Sequence, residues 1–385
     1  MLFWLPSKLD WSFKPIIDVR ERIERRVDKD FSESKSDNRT DLFSRWRAGV
    51  DFSYQKNVTG KIVYQYSHDE YWMAAKTDAA MERSDVYLAY ADFKSKDGTF
   101  RFGRQNLVKG TERVLGVSDW GMTGRSWDMA RWTGGKWDLF GGRLAVNTIP
   151  SKHAYLAGAS YDSKYGETML VYKHDENHGP QDDIYTLNHA WTKKAGKWSY
   201  EAEAAGQLGR TADSKLQAWA GTARGSYAAN PRLTVYGEVD AASGGIRHDG
   251  TVLTFDQLYP SNHRLFGILD MQGRRNMKGL ALGANFKASK ALSVNFEYNH
   301  FDLYADDDAW YGDNGKANKG FKDSTGASGG RVGDEFDLSA GLTLNKTSVL
   351  EAGMGLFRPG HFIGSFASAG DRNQIWGYVQ FRYRF

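Results

Sequence analysis

The sequence predicts an all-β protein, a transmembrane antiparallel up-and-down β-barrel of eighteen strands with short periplasmic turns and long extracellular loops. Polar and apolar residues alternate with a period of two along most of the chain, as half-buried strands require. Glycine (42 residues) and aromatic residues (14%) are abundant, proline is scarce (7 residues) and the mean hydropathy is −0.60. Nothing approaches the roughly 18 consecutive apolar residues of a membrane helix, whereas barrel strands face lipid on one side only.

The alternation is clearest in residues 198–208, 292–299 and 379–385. In the last of these, Val379, Phe381 and Phe385 share one face while Arg382 and Arg384 share the other. Each predicted strand has the roughly 9–11 residues that cross a bilayer at a tilt. The predicted strands are 14–28, 41–56, 59–72, 82–96, 98–107, 124–134, 136–148, 152–162, 166–175, 182–194, 196–210, 214–228, 231–243, 275–288, 290–304, 333–345, 347–358 and 373–385.

Short and long connections follow each other in the pattern of outer-membrane barrels, whose periplasmic turns are tight and whose outer loops are long. Even-numbered strands lead into short turns, and several odd-numbered strands lead into long loops. The long loops are 29–40, 108–123, 244–274, 305–332 and 359–372. A soluble sandwich has no reason to alternate in this way, and no repeat of fixed period favours a propeller or solenoid.

The chain is predicted to be a single outer-membrane β-barrel domain, residues 1–385, with residues 1–13 as a periplasmic lead-in. The chain has no cysteine, which excludes disulfides and thiol chemistry. The first residues lack the basic region and apolar core of a signal peptide, so an exported protein would carry this numbering after processing. Aromatic residues near strand ends predict girdles at the two interfaces. They are Tyr71, Trp72, Trp132, Trp137, Tyr304, Trp310 and Tyr311.

If the apolar face of each strand meets lipid, the alternate residues line the lumen. The early strands and the last strand then contribute a basic wall, because the last strand of a closed barrel pairs with the first. Its predicted members are Arg20, Arg22, Arg45, Arg47, Arg101, Arg125, Arg131, Arg143, Arg382 and Arg384. The later strands contribute an opposing acidic wall. Its predicted members are Glu201, Glu203, Glu238, Asp240, Glu297 and Asp337.

Two interpretations of these charges remain open. In one, they solvate a wide lumen and pair across strands. In the other, fixed guanidinium groups in a narrow passage attract anions, since arginine stays charged and binds carboxylates bidentately. A field across the lumen would orient a dipolar solute in either case. The arginine excess favours an anion-selective channel.

Two stretches resemble the bacterial alginate-export outer-membrane porin family. One is residues 102–105 (Phe-Gly-Arg-Gln) with 119–128 (DWGMTGRSWD), and the other is 242–244 with 254–263 (TFDQLYPSNH). The resemblance extends over nearly the whole chain, and weaker matches are residues 308–311 and the ending 380–385. It implies a monomeric eighteen-stranded barrel that passes a polyuronate through an arginine-lined constriction.

By matched motif the resemblance implies roles for Arg104, Arg125 and Asp128. Arg104 shares the parity of Phe100 and Phe102, so a lumenal position requires a β-bulge after Gly103. The family's type member has a long periplasmic loop near the chain's end that caps the pore, whereas the equivalent turn here, residues 344–347, is tight. A member without that gate would also serve uptake of small anionic or sugar solutes.

Other chemistry is weaker. Residues 174–178 (His-Asp-Glu-Asn-His) and a possible loop-bound calcium site at residues 306–308 and 313–315 lack a fixed ligand spacing, so no cofactor is predicted. Glu201 and Glu203 could imply glycosidase chemistry, and loops 244–274 and 305–332 could imply an adhesin. The prediction is a non-enzymatic channel in the outer membrane of a Gram-negative bacterium. Its partners would be an anionic oligo- or polysaccharide and outer-membrane lipid, not nucleic acid.

Overall fold

The computed structural model describes residues 11–31, 38–71, 81–147, 153–176, 181–366 and 372–385. Eighteen antiparallel strands form one sheet. In chain order they are β1 Trp11–Val27, β2 Arg39–Tyr54, β3 Val58–Tyr71, β4 Met81–Lys94, β5 Thr99–Gln105, β6 Ser126–Gly134, β7 Trp137–Val146, β8 Ala154–Ser163, β9 Gly166–Asp175, β10 Asp182–Ala195, β11 Trp198–Thr211, β12 Ser214–Asn230, β13 Leu233–Ala242, β14 Met277–Lys287, β15 Leu292–Asp302, β18 Arg331–Thr343, β19 Ser348–Pro359 and β20 Gln374–Arg384.

The sheet closes because β1 pairs with both β2 and β20. Arg20 lies opposite Arg45 on one side and opposite Arg382 on the other. The terminal Phe385 exchanges backbone hydrogen bonds of 3.1 and 2.8 Å with Ile17. Closure satisfies the backbone groups that a free edge would expose to lipid, and it brings the arginines of the first, second and last strands together.

The predicted strand count is confirmed, and the strand bounds differ from those predicted by a few residues. β1 begins at Trp11, so Trp11–Phe13 belong to the barrel and not to the predicted lead-in, of which residues 1–10 lie outside the described residues. β6 begins at Ser126, which leaves Arg125 in the preceding loop. The turn between β18 and β19 spans residues 344–347 and is tight, as predicted.

The long loop before β18 contains a two-stranded hairpin that was not predicted, β16 Ala309–Tyr311 with β17 Ala317–Lys322. A 3-10 turn, Asn262–Arg264, and a four-residue helix, α1 His361–Gly364, complete the elements. Within the described residues, no helix is long and apolar enough to cross a membrane.

The outer face of the sheet is apolar. Large exposed side chains such as Phe102, Leu208, Leu282 and Met354, each at least half exposed, point away from the lumen. Trp137 and Tyr304 are also exposed on this face, as the predicted girdles require. Trp310 is not a girdle residue: it is 1% exposed and stacks with Phe357 beneath the outer loops. Trp72 lies outside the described residues.

Two long loops fold into the lumen. The β5–β6 loop is residues 106–125, and the β13–β14 loop is residues 243–276. Leu115 and Tyr259, one from each loop, pair with each other and share an apolar cluster with the inner wall of β6–β9. Wall members of this cluster are Trp127, Met129, Phe140, Leu144, Ala154, Leu156, Met169 and Val171. These strands are apolar on both faces because one face meets lipid and the other meets the loops.

Candidate functional site

Four arginines of the barrel wall surround one aspartate of the β5–β6 loop. The Asp119 carboxylate accepts hydrogen bonds from Arg20 (3.0 Å), Arg45 (3.0 Å) and Arg47 (2.9 Å), and Arg384 lies 3.3 Å away. The three strands that carry these arginines, β1, β2 and β20, are neighbours through barrel closure. Four of the arginines predicted for the basic wall thus lie together, and a carboxylate of the chain lies among them.

Positive charge exceeds negative charge in this cluster. Asp18, the other carboxylate, accepts from Arg45 at 3.2 Å and from Arg384 at 2.6 Å. Four guanidinium groups thus face two carboxylates. Arg45 is fully buried and Arg20 is 2% exposed, so water screens their charges poorly.

Gly124 makes room for the arginine beside it. Its φ is +68°, and an added Cβ would lie 2.8 Å from Nη2 of Arg47 and 3.0 Å from the hydroxyl of Tyr87. The guanidinium of Arg47 stacks on the Tyr87 ring, 3.6 Å from its centroid. A larger residue at position 124 would therefore strain the backbone and displace an arginine of the cluster.

Arg22 holds the tryptophan that follows Asp119. Its guanidinium lies 4.0 Å from the centre of the Trp120 ring and donates to the Trp120 carbonyl at 3.1 Å. The His263 ring of the β13–β14 loop stacks on Trp120 at 3.7 Å with an interplanar angle of 3°. His263 in turn bonds to Asp270 at 2.9 Å. The tryptophan therefore joins the two inward loops to the basic wall.

The acidic wall holds the same loops through arginines that strand parity does not identify. Arg113 of the β5–β6 loop contacts Glu201 at 2.6 Å and Glu238 at 2.7 Å. Arg274 of the β13–β14 loop donates to Glu203 at 3.1 Å, and Arg274 is fully buried. The β5–β6 loop thus places Arg113 against the acidic wall and Asp119 against the basic wall, and it spans the lumen between them.

The other predicted acidic residues also face inward and have partners. Asp240 accepts from Thr222 and lies 3.9 Å from Arg113. Asp337 accepts from the backbone N–H of Ile268 at 3.3 Å, and Glu335, two residues before it on β18, accepts from that of Leu269 at 2.9 Å. Glu297 accepts from the Tyr236 hydroxyl and from Asn299. Part of this wall anchors the β13–β14 loop through its backbone.

Arg125 connects the two inward loops. It donates to the carbonyl oxygens of Gly116 and Pro260, both at 3.0 Å, to that of Tyr259, and to Asn147 Oδ1 at 3.1 Å. Burial lowers the pKa of the Arg125 guanidinium to about 10, so it stays charged at neutral pH. Arg125 lies inside the barrel, as predicted, but its donors are used by the chain.

Arg101 and Arg131 lie inside the barrel, as predicted, but each is bound bidentately. Arg101 contacts Asp92 at 2.6 and 2.8 Å. Arg131 contacts Asp138 at 2.9 and 2.6 Å, and Lys109 shares the second oxygen. These pairs match the interpretation in which lumenal charges pair across strands.

Arg104, Asp128 and Arg143 lie on the outer face, and the prediction that they line the pore is wrong. The pairings of β5 run without a register shift from Thr99 to Arg104, so no bulge changes the parity shared with Phe102. Arg104 binds Asp128 bidentately at 2.8 and 3.1 Å, and Arg143 lies 3.5 Å from Asp128. Arg143 lies opposite Tyr155, which is 43% exposed.

The charged partners of the β5–β6 loop shift the pKa values of its ionisable residues. Burial alone would raise the pKa of Asp119, but Arg45, Arg20 and Arg47 lower it well below its usual range. Burial lowers the pKa of the Arg113 guanidinium. The neighbouring Glu238 and Asp240 raise it by more, so the net shift is upward. Both groups are therefore ionised at neutral pH. The ion pairs that brace the β5–β6 loop persist across the neutral range.

A cavity of about 1170 Å³ lies between the inward loops and the barrel wall. Arg20, Arg22 and Arg382 line one part of it. Arg382 is 27% exposed at its side chain, and the nearest carboxylate, on Glu351, is 3.9 Å away. Carboxylates of the loops and later strands line other parts of the cavity. Lys173 also lines it, and its Nζ donates to Asp256 Oδ2 at 3.0 Å.

Sequence reasoning did not assign roles to Asp119, Trp120, Arg113, His263 or Arg274. Strand parity gives no direction for loop residues. For Asp119 and Trp120 the available signal was their place at the start of the quoted motif, before its two glycines and the strand that follows.

The proposed metal clusters have other partners. Asp308 accepts from the Gly245 N–H at 2.9 Å and from the Tyr311 hydroxyl at 3.1 Å, which uses the oxygens that calcium would need. His174 bonds to Asp183 at 2.9 Å and Glu176 at 3.2 Å. Of the described residues, no group of three or more His, Cys, Asp or Glu could hold a metal ion. Residues 177–180 lie outside the described residues.

A family model described as alginate export matches residues 15–376. The chain belongs to the alginate export family. The alginate export match covers the barrel from the first strand to the last, including both inward loops. A search of curated proteins gives no match.

Solved structures similar to this family member are outer-membrane porins. OccAB1 of Acinetobacter baumannii has a TM-score of 0.66 at 11% identity and covers 97% of each chain. OprD of Pseudomonas aeruginosa has a TM-score of 0.63 at 11% identity, covering 97% of this chain and 93% of its own. OccK2 of Pseudomonas aeruginosa, in complex with glucuronate, has a TM-score of 0.62 at 13% identity, covering 97% and 98%. The protein is a β-barrel channel of the bacterial outer membrane.

Proposed function

We propose that this channel passes acidic sugars, of the uronate class, along a basic wall in its lumen. The observation that carries the proposal is the binding of the Asp119 carboxylate by Arg20, Arg45 and Arg47. These arginines have the spacing to bind a carboxylate, and the cluster retains an excess of positive charge. A uronate brings the same carboxylate group on a sugar ring.

Arg22 and Arg382 would contact the solute. Both line the cavity together with the polar side chain of Gln380. Arg382 has the more available guanidinium, since its nearest carboxylate is 3.9 Å distant. Arg22 is 4% exposed and is fixed on Trp120, so it would contribute charge more than direct contact. The other arginines of the cluster would supply the field that attracts the anion.

The two inward loops favour a small acidic saccharide over a polymer. They are braced on both walls and joined through Trp120, His263 and Arg125. A cavity of about 1170 Å³ is slightly larger than the roughly 300–1,000 Å³ range of small-molecule sites. The glucuronate in the similar OccK2 structure supports a solute of this class. Passage of a polyuronate would require the loops to move.

We propose a monomeric channel without catalytic activity. Glu201 and Glu203, the candidate glycosidase pair, bind Arg113 and Arg274 respectively. A general acid and a base on either side of a glycosidic bond need free carboxyl groups, and these two are committed to holding loops. Of the two long loops that suggested an adhesin, residues 244–274 fold into the lumen and contact the β5–β6 loop.

The test is single-channel recording of the purified protein in planar bilayers. We expect a reversal potential in a KCl gradient that reports anion preference. Glucuronate added to one side should interrupt the current, and glucose at the same concentration should interrupt it less. Cation preference, or equal effects of glucuronate and glucose, would contradict the proposal. A polyuronate that crosses as readily as glucuronate would identify the polymer as the solute.

A further inference from the structure

Four neighbouring strands carry a charged tier at the extracellular end of their outer face. Lys278, Asp302 and Arg331 lie opposite one another on β14, β15 and β18. The next outward row places His300, Asp334 and Arg358 side by side, with Leu280 at its edge. All these strands meet long loops at this end, so the tier lies on the extracellular side of the barrel.

An apolar tier lies directly beneath the charges. Continuing down the same register, Leu282, Tyr298, Phe336 and Leu356 form one row. The row below it includes Phe296, Leu338 and Met354, which are 47%, 46% and 55% exposed. Side chains two residues apart on a strand point to the same face. The outer surface therefore changes from ionic to aromatic to aliphatic over about four rows.

Within the charged tier the carboxylates already accept hydrogen bonds from neighbouring residues, whereas some basic groups have no acidic partner in the part of the chain that the structure describes. Asp334 accepts from Tyr298 (2.8 Å), His300 (2.7 Å) and Arg331 (2.8 Å). Asp302 lies 3.3 Å from Nε2 of His300.

The free basic groups are Arg358 and Lys278. Arg358 is exposed over the Phe336 ring, 5.3 Å from its centroid, and Lys278 is exposed. Among the described residues neither has a carboxylate within ion-pair distance. Three basic residues therefore face two carboxylates here.

The outer-face ion cluster on β4–β7 differs. There Arg104 is bound bidentately by Asp128, and Arg143 shares the same carboxylate. Arg104 also donates to Asp85 at 3.0 Å. Two guanidinium groups and two carboxylates balance each other. This cluster has the composition of a self-contained network, which makes its arginines a suitable comparison for those on β14–β19.

We propose that the β14–β19 face binds a phosphorylated glycolipid of the outer leaflet, of the lipid A type. Lys278, Arg331 and Arg358 would contact its phosphates, since guanidinium and ammonium groups bind phosphate strongly. The strands carrying Lys278 and Arg358 are three strand spacings apart, or about 14 Å, so one large head group can reach both. The acyl chains would lie on Leu282, Leu338 and Met354.

The test is native mass spectrometry of the detergent-purified protein with added lipid A bisphosphate and with the same lipid after removal of its phosphates. The double variant Lys278→Ala/Arg358→Ala should bind lipid A roughly thirtyfold more weakly, since each surface cation contributes about 1 kcal/mol toward anionic lipid. The matched control Arg143→Ala should bind as the wild type does. The wild type should bind the dephosphorylated lipid weakly.

Equal binding of the two lipids, an unchanged double variant, or an equal loss in Arg143→Ala would each overturn the proposal. A dimer whose apolar face excludes lipid would also overturn it, in favour of a second copy as the occupant. The substituted residues are exposed, and wild-type channel conductance of each variant verifies its fold. If a variant fails to fold, the comparison of the two lipids on the wild type still decides the question.

Discussion

Asp119 Oδ1, on a loop that crosses the lumen, lies 3.0 Å from Nη1 of Arg45, a wall residue whose side chain is fully buried. The same oxygen lies 2.9 Å from Arg47. One loop carboxylate thus neutralises part of a basic wall built from strands that lie at opposite ends of the chain. The loop thus places a negative charge among the arginines inside the barrel.

Asp119→Asn should increase channel conductance and make the open current noisier. Loss of the carboxylate leaves buried guanidinium groups facing one another. Breaking such a network costs on the order of 3 kcal/mol, and here that cost weakens the binding of the loop to the barrel wall. Single-channel recording measures the effect. Asp97→Asn, in an exposed periplasmic turn, is the control and should conduct as the wild type does. A quiet channel of wild-type conductance would show that the loop is held by its other contacts.

Arg125→Lys should loosen both inward loops while leaving the barrel intact. Lysine keeps the charge but not the planar set of donors that binds Gly116 O and Pro260 O. Each lost charged hydrogen bond is worth about 1.5–3 kcal/mol. Hydrogen exchange should accelerate in residues 106–125 and 243–276 and stay unchanged in the strands. Arg232→Ala, in an exposed turn, should change neither, and equal protection in Arg125→Lys would contradict the role given to Arg125.

Arg382→Ala should reduce the preference for anions several-fold, because it removes an available cation from the cavity lining. The reversal potential in a salt gradient reports the change. Arg143→Ala removes the same charge from the outer face and should leave the reversal potential unchanged. If Arg143→Ala had the larger effect, the assignment of faces around β7 would be wrong.

Anion preference should fall as the pH rises from 6 to 8. Burial and the neighbouring Asp270 raise the pKa of Asp313 to about 7, although Arg26 and Lys29 oppose the shift. Because the folded-state pKa lies above the unfolded value of about 3.9, the neutral form is favoured in the folded protein. The contribution of this protonated group to the free energy of unfolding is lost as the pH rises from about 4 to about 7. Ionisation adds a negative charge to the cavity, so Asp313→Asn should abolish this pH dependence in the reversal potential.

Local patterning was enough to predict the barrel and its strands. Alternation in segments such as residues 292–299 places Phe296 outward and Glu297 inward, since a strand has only two faces. The inward positions of Arg20, Arg45 and Glu203 followed from the same rule. It failed at Arg143, where Asp138 and Phe140 face inward and Arg143 belongs to the outward set. There both faces of the strand are apolar, so hydrophobicity no longer distinguishes the face that meets lipid from the face that meets the inward loops.

The sequence by itself determined the number of strands, the alternation of turns and loops, the outer-membrane class and the separation of basic and acidic walls. These depend on short-range periodicity and on closure of the sheet. Only the tertiary structure decided that the walls bind loops. Asp119, Arg113 and Arg274 meet the walls through contacts between residues far apart in the chain, and no local pattern gives the direction of a loop. The same charges that predicted an open basic path therefore hold the loops that narrow it.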